Sequence, residues 1–227
     1  MANSASKART ADFQLVGNSD SAQRMAANTG NQFDFLGVLV GQRRQQSTDL
    51  VHSSKQWSIV EIFSAMGDLF SRPEREYQYV AIDIAIANVR RFDIDDMQHF
   101  CQWITVNAWR DTGDNWRQFF SKYLTFHREQ KPMVFALFFK NENIWLRRIA
   151  ILLQINEDFS LDTDMLSAAI LYDRNTDDKQ IQLAIGRVLR TYSKYNPVWV
   201  RNFLRQHGLS MVAAKEARRY LLSYDFE

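Results

Sequence analysis

The sequence predicts an all-α fold, and three observations carry that expectation. Apolar residues recur at helical spacing in segment after segment, as at Ile59, Ile62, Phe63 and Met66, so one face of each segment can enter a core. The three prolines, Pro73, Pro132 and Pro197, each stand where a helix would begin, the position that tolerates proline best. Strands lack a signal, because the chain has no Asn-Gly hairpin turn and no sustained apolar/polar alternation.

Taken in order, residues 1–20 are expected to form a loose N-terminal segment, and residues 21–227 a single helical domain. The run Ala26-Ala27-Asn28-Thr29-Gly30-Asn31 is poor helix material, since Asn, Thr and Gly disfavour helix interiors. An apolar knot, Phe33-Asp34-Phe35-Leu36-Gly37, precedes Arg43-Arg44. Helices are then expected over 56–70, with Ser58 and Glu61 as a capping box, and over 74–89, opened by the similar signature Ser71-Arg72-Pro73-Glu74. Asp95 can cap a helix that runs to Thr105. Further helices are expected over 114–126, 133–139, 144–154, 164–171, 179–194, 197–207 and 210–220.

Bulk composition excludes several classes. At 227 residues, with 46% hydrophobic and 24% charged side chains, the chain is globular and large enough for a real core. The formal charge of +2 names no partner, but its distribution is uneven. From Lys179 to Arg219 nine basic residues face the single acid Glu216, a pattern that fits either phosphate binding or solvated helix faces. One cysteine, Cys101, rules out an internal disulfide and a multi-cysteine zinc site, and its apolar setting suggests an inert thiol. His52, His99, His127 and His207 lack metal spacing, so no metal and no cofactor are expected. No phosphate-binding glycine loop or nucleophile setting is present, and no apolar run is long enough for a bilayer. The expectation is a cytoplasmic monomer with no membrane contact.

The helical pattern repeats. The segments 76–82, 145–151 and 180–186 superimpose, which puts Gln78, Arg147 and Gln182 in register. Arg147 and Gln182 are 35 positions apart, and Gln78 and Arg147 are 69 apart, close to two such steps. The intervening copy falls near Gly113, and Glu216 lies 34 beyond Gln182. A helical period near 35 means stacked helix pairs, a solenoid in the broad class of HEAT, armadillo and TPR repeats. Such stacks form a curved superhelix whose inner side collects one equivalent helix per repeat. Within the segment 143–154, Trp145 and Arg148 lie three apart and share a helix surface, so this helix can be a structural layer and a binding wall together.

Several motifs resemble those of the AlkD family, the HEAT-like-repeat DNA glycosylases of alkylation repair. They are Phe33–Gly37 with Arg43-Arg44, Arg72-Pro73-Glu74-Arg75-Glu76-Tyr77-Gln78, Asn143-Ile144-Trp145-Leu146-Arg147-Arg148, and Gln182 through Arg190. The resemblance runs from about Ala22 to Tyr220. It implies an α-solenoid that grips double-stranded DNA and excises cationic alkylpurines, such as 3-methyladenine and 7-methylguanine, by hydrolysing the N-glycosidic bond without a metal.

The resemblance also assigns site residues. The family's Trp-Trp-Asp-x-x-Asp pattern matches Trp109-Arg110-Asp111-Thr112-Gly113-Asp114, so Asp114 takes the place of the essential carboxylate. Asp114 read alone, without the resemblance, is better explained as a cap for the helix that follows it. Arg148 matches the arginine that contacts the DNA backbone. Arg110 stands where the family has its second tryptophan, and Arg187 where it has the tryptophan of Ile-Gly-Trp-Val-Leu. Asn28 matches an N-terminal tyrosine that reaches toward DNA. Arg190, Lys194, Lys215 and Arg218 are candidate backbone contacts.

The two arginine replacements matter because the lesion is cationic and positive charge grows on the sugar as the bond breaks. Aromatic faces attract cations, whereas guanidiniums repel them and do not shed their protons. At about 5 Å and an effective dielectric near 20, one such repulsion is roughly 3 kcal/mol, or about two decades in rate. Either arginine can also pair with Asp114 and cancel its charge. The expected protein is a divergent relative that binds duplex DNA weakly and excises little or nothing. The alternatives are an active glycosylase in which Asp114 suffices, and a protein-binding scaffold without DNA.

Overall fold

A computed structural model describes residues 9–221 of the chain. Among the described residues are thirteen α-helices and no strand, apart from an isolated bridge between Asp34 and Glu74. The helices are α1 (Ser19–Asn28), α2 (Val40–Gln46), α3 (Thr48–Ser53), α4 (Ile59–Phe70), α5 (Arg75–Ala87), α6 (Ile94–Thr105), α7 (Arg110–Phe126), α8 (Lys131–Phe138), α9 (Ile144–Leu152), α10 (Thr163–Asp173), α11 (Lys179–Tyr192), α12 (Pro197–Gln206) and α13 (Met211–Leu221). The all-α expectation is met. The described residues cluster into two compact units, one ending at Asp93 and the other beginning at Ile94.

In the first unit, α4 and α5 pack through fully buried Ile62, Ala65, Met66 and Leu69 on one side and Val80, Ala81, Ile84 and Ala85 on the other. The capping box is formed: the Ser58 hydroxyl accepts from the Glu61 N–H at 3.2 Å, and the Glu61 carboxylate accepts from the Ser58 N–H at 2.7 Å. The second signature is not used as a box. Ser71 instead closes α4, its hydroxyl donating to the Asp68 carbonyl at 2.7 Å, and Glu74 precedes α5 without a side-chain cap. A serine committed to one helix end is not available to start the next.

Much of the stretch expected to be loose is tied down in residues 9–16. Arg72 donates to the carbonyls of Phe13 and Thr10 at 2.6 and 2.7 Å, and Gln46 pairs with both the N–H and the carbonyl of Val16. Leu15 is buried. The earlier part of that expectation, residues 1–8, lies outside the described residues.

Glu76 organises the apolar knot. It is fully buried on α5, and its carboxylate accepts the backbone N–H groups of Leu36, Gly37 and Val38 at 3.0, 2.8 and 3.0 Å. Three charge-assisted bonds to one carboxylate fix the turn through its backbone. Gly37 has φ +81, and a side chain there would collide with the Asn18 carbonyl, so the turn needs glycine. On the same helix, Arg75 is buried with its guanidinium 4.0 Å from the Phe33 ring centroid.

The second unit is built from successive helices in pairs. The second members, α7, α9, α11 and α13, pack on one another in chain order, and α6 packs on α8. An aromatic core joins α6, α7 and α8: Phe100 lies 4.4 Å from Phe119, and Phe120 meets Phe138 edge-on at 4.7 Å, all fully buried. Trp116 is buried against the same group.

The repeat register has a structural cause. Arg147 donates to the carbonyls of Asn141 and Glu142, in the turn before its own helix, and to Asp173 at the end of the next pair's first helix. Gln182, one step on, donates to the carbonyls of Asp173 and Thr176 in the turn before its helix, and accepts from Ser210 just ahead of α13. The same position therefore pins α9 and α11 each to the turn behind it and to the pair ahead. Between α11 and α13 the backbones come close at Gly186, where an added Cβ would lie 2.5 Å from the Glu216 Cβ and 2.8 Å from the Ala213 carbonyl oxygen.

The anchoring role of Glu76 is testable. Glu76→Ala leaves three backbone donors without their acceptor, and we expect it to lower unfolding free energy by about 3 kcal/mol or more. Urea unfolding of the full chain measures this, with Glu74→Ala, which removes no such bonds, as the comparison.

Candidate functional site

Helix α7 begins at Arg110, four residues ahead of the start expected from its apolar spacing. Trp109 is extended, and the Thr112 hydroxyl accepts its N–H at 3.3 Å. Asp114 is therefore inside the helix, in its second turn, and the cap reading of this residue falls. Its side chain projects toward α9 and α11 and forms a ladder across three helices. Arg148 Nη2 on α9 donates to Asp114 Oδ1 at 2.9 Å, and Arg187 Nη1 on α11 donates to Asp114 Oδ2 at 2.7 Å.

Local packing sets this geometry. Gly113 faces α9, and a Cβ there would sit 3.2 Å from Arg148 Nη1 and 3.8 Å from the Trp145 ring. The missing side chain leaves room for the guanidinium against α7. Trp145 and Arg148 share one surface of α9, as their spacing implies, and the Trp145 ring lies 6.0 Å from the Trp109 ring. Arg148 is only 5% exposed, whereas the Asp114 and Arg187 side chains are 33% and 37% exposed.

The charges act on one another. Burial alone would raise the Asp114 carboxyl, but the Arg148 charge, together with the hydrogen bond and charge of Arg187, holds it below the ordinary carboxylate range. Burial lowers Arg148, the Asp114 charge and hydrogen bond lift it, and the like charges of Arg187 and Arg110 lower it further. Arg117, one turn after Asp114, belongs to the same cluster: burial lowers it, Asp114 raises it, and Arg187 and Arg148 lower it again. Spacing gave no notice of Arg117. The available signal was an arginine between Trp116 and Phe119, on the face of α7 that carries its aromatic core residues.

The remaining candidates are dispersed. Arg110 is exposed at the first position of α7. Arg190 donates to Glu216 at 2.8 Å, and Glu216 also holds Arg219 at 3.0 Å. Lys194 is exposed just after α11, with its ammonium 5.5 Å from the Tyr220 ring centroid. Lys215 and Arg218 are exposed on α13. Asn28 is the last residue of α1, exposed, and belongs to the first unit. Burial pushes the Cys101 thiol up to about 12, which suits an inert side chain. Among the described residues, no three His, Cys, Asp or Glu side chains gather as a metal site, and no helix is long and apolar enough to cross a membrane.

A family model described as DNA alkylation repair enzyme matches residues 10–221. The chain belongs to the DNA alkylation repair family. It is also similar to the solved structure of a predicted DNA alkylation repair enzyme from Enterococcus faecalis, with 38% identity, 92% of this chain and 98% of that chain covered, and a TM-score of 0.90. No curated protein matches it. Membership in the DNA alkylation repair family supports a role in DNA repair.

For this family member the Asp114 ladder has a pH signature. A carboxylate whose folded-state pKa is depressed contributes stability that is complete above its unfolded value, about 3.9, and is lost as pH falls through the folded value. The stability gap between wild type and Asp114→Asn should therefore be full at neutral pH and close on acidification. Urea midpoints taken from about pH 7 to about pH 3 test this, and a gap independent of pH would contradict the ladder.

Proposed function

We propose that this protein binds duplex DNA as a member of the DNA alkylation repair family, with weak or absent excision of alkylpurines. One observation supports the reading above the others: both oxygens of Asp114 are engaged by guanidiniums, Arg148 on one and Arg187 on the other. Glycosidic cleavage of a cationic purine builds positive charge on the deoxyribose, and a carboxylate helps only with charge it has not already spent on a cation. In the resemblance, the position of Arg187 carries an aromatic ring, which attracts a cationic lesion. Here it carries a permanent cation bonded to the carboxylate itself. Arg117 adds a third positive charge to the neighbourhood. Arg110, exposed one turn before Asp114, sets a further cation where the resemblance has a ring.

Exposed Lys194, Lys215 and Arg218 carry the expected backbone contacts, while Arg190 is engaged by Glu216. A second reading is favoured by the partial exposure of Asp114 and Arg187. Bound DNA phosphates can draw the Arg187 guanidinium away and free the carboxylate, which would leave an active glycosylase dependent on Asp114.

Release of 7-methylguanine and 3-methyladenine from methylated duplex DNA distinguishes the two. The wild type should release little, and the double reversion Arg110→Trp with Arg187→Trp should gain activity. Robust wild-type release that Asp114→Asn abolishes would establish the active enzyme instead. DNA binding should weaken steeply with salt, and Lys215→Ala with Arg218→Ala should lower the log–log slope by about 2. Binding that ignores salt, or is absent, would point to a scaffold without DNA.

A further inference from the structure

The Asp114 cluster is not electrically closed. Arg148 and Arg187 grip the Asp114 carboxylate, and the Arg117 guanidinium feels the same charge, so three cations meet one acid and leave a surplus of two. Arg110 also acts on Arg148, but it is exposed at the helix start, where solvent screens its charge. The surplus is buried where it costs most: Arg148 is 5% exposed and Arg117 is 9% exposed. Their hydrogen bonds are incomplete as well. Arg117 Nε and Nη1 and Arg148 Nη1 are buried and find no hydrogen-bond partner among the described residues. Buried charges are ordinarily paired and buried donors ordinarily satisfied. A chain that places unmatched charge and unmatched donors in one cluster has the composition of an anion receptor.

The charge deficit selects the anion. A surplus of two is matched by one doubly charged group. A DNA backbone phosphodiester carries a single negative charge and leaves the cluster one short, whereas a terminal phosphomonoester carries about 1.5 to 2 at neutral pH, and inorganic phosphate becomes the dianion just above neutrality. Guanidinium forks suit phosphoryl oxygens, and their charge is permanent. The partly exposed members, Arg187 and Asp114, give the route in, and Gly113 keeps the Arg148 edge free of a side chain.

We propose that Arg117, Arg148 and Arg187 form a receptor for a dianionic phosphoryl group, with Asp114 as an internal competitor for the same guanidiniums. This rests on the reading above only in taking the cluster as the working centre, and it is independent of whether excision occurs. Two sources share the chemistry, free phosphate and the phosphorylated end of a nucleic acid strand.

Calorimetric titration of the full chain with inorganic phosphate, at fixed ionic strength set by chloride, tests the proposal. Saturable one-to-one binding is expected, with dimethyl phosphate, a monoanionic diester, binding weaker by a factor of about ten or more. Asp114→Asn should tighten phosphate binding, because it removes the competitor, and Arg187→Gln should weaken it. A merely structural role for Asp114 predicts the opposite sign. Thermal unfolding with and without phosphate gives a second reading on each variant that folds. Absence of saturable phosphate binding to the wild type, equal affinity for the diester, or weaker binding by folded Asp114→Asn would each overturn the receptor. Duplexes ending in 5′-phosphate and 5′-hydroxyl separate the sources: preference for the phosphorylated end assigns the strand terminus, and equal affinity with phosphate binding intact assigns the free anion. Poor excision together with no phosphate binding would sink this inference and leave the proposed function standing.

Discussion

The second unit is braced by one ionic contact made twice, the Asp114 carboxylate gripped by Arg148 and Arg187. The contact joins three consecutive second helices, α7, α9 and α11, at residues 34 and 73 positions apart. It therefore works as a cross-brace between repeats as well as a local charge arrangement. Its energy is not that of a surface pair, because Arg148 is buried and would be left uncompensated without the carboxylate. The same burial fixes the arrangement: Arg148 is held against the Asp114 carboxylate, both of whose oxygens are engaged.

That brace sits on a scaffold with a simple rule. At two successive repeat steps one long polar side chain, Arg147 and then Gln182, reaches back to the turn before its helix and forward to the next pair. The register they fix determines which neighbouring positions face one another across α7, α9 and α11. Arg148 follows Arg147 immediately, so the residue that sets the helix in place also aims the cation beside it.

Much of this was legible in the sequence, for physical reasons. Helical periodicity and the positions of Pro132 and Pro197 gave the helices, because apolar spacing and proline geometry are local properties. The start of α7 was misjudged because Trp109, an aromatic residue, precedes the helix where a small polar cap would be expected. Ser71 misled because two helix ends lie within a few residues and compete for one hydroxyl. The pairing of Asp114 with Arg187 was visible only through family resemblance, since no local pattern connects residues that far apart. Arg117 stayed hidden because an arginine beside aromatic residues reads as a surface position, and only the packed helices reveal its depth. The bond between Arg190 and Glu216 was hidden for the same reason, as it spans two helix pairs.

The seat of the turn at Leu36–Val38 carries an evolutionary corollary. Glu76 grips that turn by its amide hydrogens, which every residue except proline possesses. Apart from Gly37, whose backbone conformation needs glycine, the identities of the gripped residues are immaterial to the grip. Leu36 can thus vary without loosening the grip, whereas Val38, buried in the core, is held apolar by its packing, and the path of the turn hangs on one acidic side chain in another helix.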